Sequence, residues 1–420
     1  MSLLHTTKAL VVLLTVGLIF TYPAPFTADD GVSTEELTTI PTQCPVSFAE
    51  HLIPSGYPFE TQTTTTPDGY ILTLFRLQSK GSMKSGKPVV FLQHGLNNGG
   101  LVWLMNGEQK ALAFILANAG FDVWIGNNRG TRYSRRHVRY SPTDKAFWNF
   151  GFDEMAQFDV PTNIATIRRV TGAQKLSYIG HSQGTTQMFA ALSDPQIRPK
   201  VAPYIQQFHA LAPIVFLNQA KFPAKVFANG ILNNIKKKCT DKGVNSLSIG
   251  GCVWDETQIQ YWNNYCSHKV ILCLKQLLAT NVSPLLYKID NWPRDGYRLL
   301  IGNSGTSERC SLHLYQLIES QIKNPDSFPK YDYGPTGNLQ HYGTKSVPYY
   351  NLGLIREKVR MWVGLGDTLA TPPEAHRIQR LAQNADISYV EIRGWGHETF
   401  HFAANNQQQY GQLVSILRQG

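Results

Sequence analysis

Apolar runs rich in β-branched residues alternate with helical patterns along the first half of the chain. Residues 88–93 read as a buried strand, and residues 111–120 as a helix stopped by Gly120. Strand patterns follow at 121–125, 176–180 and 208–212, with helical patterns at 153–171 and 183–192 between them. Strands of a parallel sheet are covered by crossover helices, so they need near-continuous apolar runs rather than alternation, and these runs have that character. The rhythm breaks near Pro213. Residues 215–350 are rich in Asn, Lys, Tyr and Cys, with irregular helical patches. Strand patterns return at 359–365 and 387–392. The expected fold is therefore α/β: a mostly parallel central sheet with helices on both faces. Its core comes in two parts, 29–214 and 351–420, separated by a large, mainly helical cap at 215–350. The threonine run at 63–66 fits a β-rich segment ahead of this core.

The first residues carry a different signal. Lys8 precedes a largely apolar stretch at 9–20, shorter than the ~20 residues a membrane-spanning helix needs. Tyr22-Pro23-Ala24-Pro25 then breaks any helix. Residues 1–28 read as a signal peptide with an open cleavage point, which implies a mature protein without a transmembrane segment. The expected location is the secretory pathway, either secreted or in a lysosomal or vacuolar lumen. Six cysteines in an oxidising compartment favour disulfides, with 15 possible pairings. None sits in a Cys-x-x-Cys pair, so zinc ribbons are unsupported. Asn281-Val282-Ser283 is an N-glycosylation sequon.

Composition narrows the partners. The 420 residues are 42% hydrophobic and 16% charged, which excludes a mainly disordered chain. The net charge of +10 is scattered, apart from short clusters at 129–136 and 236–238. Neither makes a basic arm, so no nucleic-acid partner is expected.

Gly180-His181-Ser182-Gln183-Gly184 stands between a strand pattern and a helix pattern. A sharp strand-to-helix turn projects the serine hydroxyl from the sheet edge, and the small flanking residues let strand and helix approach closely. A serine hydroxyl is a poor nucleophile at neutral pH and needs a base, itself oriented by a carboxylate. In this fold the order is Ser, acid, His. Asp367 follows the strand ending near Leu365, and His397 follows the next strand in Gly394-Trp395-Gly396-His397. The candidate catalytic set is Ser182, Asp367 and His397. The backbone N–H groups of Gln183 and Leu96 are the candidate oxyanion hole. His94 is read as holding the Leu96 loop. Residues 397–401 also spell His-Glu-x-x-His, a zinc-hydrolase motif when both histidines share one helix face. Gly394-Trp395-Gly396 approaches as a loop and no third ligand is evident, so no metal or other cofactor is expected.

These residues resemble the acid lipase family of α/β-hydrolases, which includes gastric lipase and related lipases. The likeness runs through Gly56-Tyr57-Pro58, Asp68-Gly69-Tyr70, residues 92–96, the block from Phe121 to Arg135, and Phe147-Trp148. It continues through residues 152–161, the elbow 180–186, Gly305-Thr306-Ser307, residues 331–334 and Trp395-Gly396-His397. The resemblance implies the same triad and oxyanion positions. It also implies hydrolysis of neutral glycerides or sterol esters without a metal, beneath a cap with a mobile lid. Apolar positions in the cap suit such a lid: Phe216, Leu217, Phe222, Val226, Phe227, Ile231 and Leu232, then residues 270–278. The expected function is serine-dependent hydrolysis of lipid esters with transient contact at a lipid–water interface. The alternatives are a carboxylesterase for short soluble esters, a zinc hydrolase, and a non-catalytic binding protein on the same scaffold.

Overall fold

The computed structural model describes residue 52 and residues 55–81, 83–96, 98–220, 246–247 and 305–420. The leader, the sequon, five of the six cysteines and the apolar cap positions from Phe222 to residue 278 lie outside the described residues.

The strands are β1 (Phe59–Thr65), β2 (Tyr70–Leu77), β3 (Val89–Gln93), β4 (Asp122–Gly126), β5 (Arg136–His137), β6 (Leu176–His181), β7 (Ile205–Leu211), β8 (Ser246–Leu247), β9 (Thr306–Ser307), β10 (Lys358–Gly364) and β11 (Asp386–Ile392). The main sheet runs in the order β1-β2-β4-β3-β6-β7-β10-β11, with β5 beside β2. From β4 to β11 every pairing is parallel, whereas β2 runs antiparallel to β4 and β1 antiparallel to β2. Every residue of β3, β4 and β6 is buried, as strands covered on both faces must be. Thr63, Thr64 and Thr65 of the threonine run belong to β1, an edge strand, and Thr66 lies just past its end.

The helices are α1 (Leu112–Asn118), α2 (Val160–Thr171), α3 (Gln183–Ser193), α4 (Glu308–Lys323), α5 (Gly334–Tyr342), α6 (Pro372–Leu381), α7 (Thr399–Phe402) and α8 (Gln407–Arg418). The pattern at 153–171 predicts one helix. The chain is helical without interruption from Phe152 to Thr171, with a π-helical turn at Met155–Asp159 inside it, between a first turn at Phe152–Glu154 and α2. Pro161 is the cause suggested by the chemistry: it has no N–H for the carbonyl four residues back, and its ring crowds that carbonyl.

Order along the sheet fixes where a site can form. The chain steps from β3 to β4 on one side, then returns to place β6 on the other side of β3. Such a reversal leaves a crevice at the carboxyl ends of the two strands, where α/β proteins bind ligands. Gln93 is level with Gly180, His181 with Leu211, and Gly364 with Ile392, so the loops after these strands share one edge.

Residues 305–350 pack into the same hydrophobic core as the sheet, through Cys310, Leu317, Phe328 and Tyr350. Polar ties back this up. Asp153 accepts hydrogen bonds from the Tyr350 hydroxyl at 2.6 Å and the Tyr331 N–H at 2.8 Å, and Glu154 pairs with Arg309 at 3.1 Å.

One buried ion cluster braces the loop after β4. Arg129 is fully buried; it pairs with Asp68 at 2.6 Å and with Asp159 at 2.5 Å, its guanidinium 4.0 Å over the Tyr70 ring. Arg129→Met keeps the length and removes the charge, leaving Asp159 buried without its counter-ion. The expected cost is about 3–5 kcal/mol, read as a lower urea midpoint with an unchanged slope. A loss under about 1 kcal/mol would assign the cluster no such role.

Candidate active site

Ser182 sits between the last residue of β6 and the first of α3, at φ 52° and ψ −120°. A side chain at positive φ is strained, and the surroundings enforce it. A Cβ at Gly184 would come 2.3 Å from the Gln93 carbonyl oxygen, and one at Gly180 would come 2.7 Å from the Gly184 backbone. The two glycines therefore allow β6, β3 and α3 to meet tightly enough to force the turn. The Ser182 N–H continues the sheet pairing to the Leu211 carbonyl at 3.0 Å, and the Tyr178 hydroxyl donates to the Gly184 carbonyl at 2.8 Å.

Asp367 and His397 leave the sheet at the same edge, after β10 and β11. His397 Nε2 lies 2.8 Å from Ser182 Oγ, and His397 Nδ1 lies 2.9 Å from Asp367 Oδ2. The other carboxylate oxygen of Asp367 accepts from the backbone N–H groups of Leu369 at 2.8 Å and Ala370 at 3.0 Å. A carboxylate only accepts, so Nδ1 carries the proton and Nε2 presents a lone pair to the serine hydroxyl. Both partners are buried. For His397, burial lowers the pKa, but the charge and hydrogen bond of Asp367 override it and the net shift is upward from 6.5. Burial raises Asp367, yet His397 and the two backbone donors bring its carboxyl below its ordinary range.

Gln183 is the first residue of α3, where backbone N–H groups have no partner within the helix. The loop 94–96 lies against Ser182, since a Cβ at Gly95 would be 3.0 Å from Ser182 Cβ. The N–H groups of Gln183 and Leu96 thus belong to segments that flank Ser182. His94 is buried, with Nδ1 2.8 Å from the Gly95 carbonyl oxygen and Nε2 accepting the Asn128 N–H at 3.0 Å. Burial lowers its pKa to about 4, so it is a neutral brace for this loop. Asn128 Oδ1 also accepts from Gln93 at 2.9 Å and from Gln187 at 3.0 Å, which ties the loop after β4 to α3.

Two neighbours of the site were not singled out from the sequence. Cys310 of α4 carries a free buried thiol, pushed up to about 12 by burial, whose Sγ lies 3.0 Å from Gln183 Oε1. His181, inside the elbow motif, lies 2.8 Å through Nε2 from the His397 carbonyl oxygen. The first is a contact of long sequence separation with no local signature. The second was visible as a residue type in the motif, but not as a partner.

The His-Glu-x-x-His spelling does not put two ligands on one helix face. His397 precedes α7, a helix of four residues, and both its ring nitrogens are engaged by Asp367 and Ser182. His401 packs edge-on against Trp103 at 4.7 Å and His181 at 4.3 Å. Ligand atoms of His181, His397 and Glu398 lie within 4.8 Å of one another. An ion there would compete with the hydrogen bonds that His397 and His181 already make.

Residues 48–107 match the model of a partial α/β-hydrolase lipase region, and residues 88–213 match that of the α/β-hydrolase fold. The chain is 31% identical over 395 residues to mouse lipase member K, covering 93% of this chain and 95% of that protein. It is 34% identical over 376 residues to human gastric triacylglycerol lipase, covering 86% and 88%. Among solved structures it resembles a soluble variant of monoglyceride lipase from Saccharomyces cerevisiae, bound to a substrate analog. There the TM-score is 0.51 at 14% identity, over 86% of this chain and 94% of that one, a likeness of fold. With similarity of this extent to lipases along nearly the whole chain, and with this sheet and elbow beneath it, the chain belongs to the acid lipase family of α/β-hydrolases, a family of carboxylic ester hydrolases.

Proposed function

We propose that the protein is a serine lipase that hydrolyses neutral lipid esters, triacylglycerols or sterol esters, through an acyl-serine intermediate. The observation that carries this reading is the hydrogen-bonded run from Ser182 Oγ through His397 to Asp367, at 2.8 and 2.9 Å. Ser182 Oγ attacks the ester carbonyl carbon while His397 Nε2 takes its proton. Asp367 stabilises the imidazolium that forms. The N–H groups of Gln183 and Leu96 hold the oxyanion, whose charge develops only in the transition state. His397 then protonates the leaving alcohol. Water, activated by the same ring, releases the acid from Ser182. No cofactor takes part in this scheme.

The lipid substrate and a transient lipid–water contact are supported by the similarity to gastric triacylglycerol lipase and by the apolar positions the sequence places in the cap. A lid with one apolar face covers a site in water and opens against lipid. No helix among the described residues is long and apolar enough to cross a membrane. The leader at 1–28 supports work in the secretory pathway, as a secreted or lysosomal protein, and N-terminal sequencing of material from eukaryotic cells tests it.

The functional test is a panel of emulsified triacylglycerol, emulsified sterol ester and a short soluble ester, with and without a serine-directed phosphonate. The expected result is a rate that climbs sharply once the glyceride passes its solubility limit, and phosphonate label on Ser182. Highest activity on the soluble ester with no such climb would favour the carboxylesterase alternative. Inhibition by a chelator with none by the phosphonate would overturn serine chemistry.

A further inference from the structure

We infer that His181 is a positioning residue for this reaction: its ring hydrogen bond to the His397 backbone carbonyl holds the catalytic imidazole at proton-transfer distance from Ser182. The inference rests on the Ser182–His397–Asp367 reading above.

The need for such a tie follows from the architecture. The turn bearing His397 hangs from the end of β11, the outermost strand of its side of the sheet. It then enters α7, too short to be a rigid support. The Trp395 carbonyl accepts the Gly366 N–H at 2.8 Å, which fixes the turn to the Asp367 loop. Fixing it to the nucleophile is a separate matter. Apart from the catalytic contact itself, the described hydrogen bond joining residue 397 to the elbow is the one from His181, at 2.8 Å.

The chemistry of the ring suits the task. A carbonyl only accepts, so Nε2 carries the hydrogen. His181 is fully buried, and burial lowers its pKa to about 3, so the ring stays neutral beside the imidazolium that forms at His397. The ring is also wedged in place. His401 stands edge-on to it at 4.3 Å, and a Cβ at Gly95 would lie 3.2 Å from its Nδ1. One side chain thus touches the oxyanion loop and the histidine turn, and it adjoins the nucleophile in sequence. A shift of about 1 Å in a reacting group can cost 10²-fold in rate. Substrate binding does not run through this bond, so the loss falls on kcat.

Three variants of the full chain test this beside Ser182→Ala. His181→Phe keeps a ring and removes the donor. His181→Gln places an amide nitrogen the same number of bonds from Cα as Nε2, and His181→Asn places it one bond short. The expected result is a kcat about 10–100-fold lower in H181F and H181N, KM within about twofold, and recovery of most of kcat in H181Q. A residue that merely supports the fold would lower the melting temperature of all three with no such ordering of kcat. Folded H181F with the parent kcat overturns the inference. If H181F does not fold, equal kcat in H181Q and H181N overturns it instead. Turnover surviving in Ser182→Ala would remove the triad reading itself, whereas a dead Ser182→Ala beside an unaffected H181F removes only the role given to His181.

Discussion

Ser182→Ala is expected to lower kcat on every ester substrate by a factor on the order of 10⁶. The alanine keeps Cβ and therefore the same backbone strain at φ 52°, so the elbow does not relax. What disappears is the atom that forms the acyl bond. His397 then has only water to activate, and water is not tethered to the chain as the serine hydroxyl is, so the proximity that makes the attack intramolecular is lost. The flanking N–H groups and substrate binding still act, so a small residual rate persists. Stability is expected within about 0.5 kcal/mol of the parent, because the hydroxyl is partly exposed and its described bond is the one to His397. Burst kinetics with a chromogenic ester provide the measurement: the parent releases a stoichiometric burst and the variant none. A variant within tenfold of the parent would exclude Ser182 as nucleophile.

Asp367→Asn is expected to lower kcat by about 10⁴, with the fold intact. The reason lies in the far side of the carboxylate. Two backbone donors, from Leu369 and Ala370, meet one oxygen of Asp367. In the asparagine they select the amide oxygen, which turns the NH₂ group towards His397. That group donates, so Nδ1 must accept and the ring proton moves to Nε2. An Nε2–H cannot take the proton of Ser182. Charge removal has a second, separable effect. Burial lowers the His397 pKa and Asp367 raises it above 6.5, so without the carboxylate it falls. The neutral ring is the working base, and protonation on acidification disables it. The acid limb of kcat/KM in the parent should therefore lie above pH 6.5, and that of the variant at lower pH. An unmoved limb would mean that the charge of Asp367 does not govern His397.

Much of the scaffold was legible because its signals are local. Apolar runs locate β3, β4, β6 and β7, and a glycine-flanked serine between strand and helix marks the elbow. Asp367 and His397 could be chosen because each follows a strand pattern by a few residues. What stayed hidden depends on groups distant in sequence. The helix at 153–171 was legible, but its π-helical turn at 155–159 needs the conflict between Pro161 and its preceding turn to be weighed against a good apolar period. The pairing of Arg129 with Asp68 and Asp159 joins residues 61 and 30 positions apart, and a basic run there reads as surface charge. His181 was in view as part of the motif. Its partner, 216 positions away, was not.

The backbone at residue 182 also limits which exchanges of the nucleophile are open to mutation. Threonine offers the same hydroxyl, but its branched side chain is a poor fit to φ 52°, where the methyl crowds the chain. Cysteine is unbranched and meets no such obstacle. The descent of this site from a serine hydrolase is thus open towards a thiol enzyme and nearly closed towards a threonine one, a bias set by conformation rather than by reactivity.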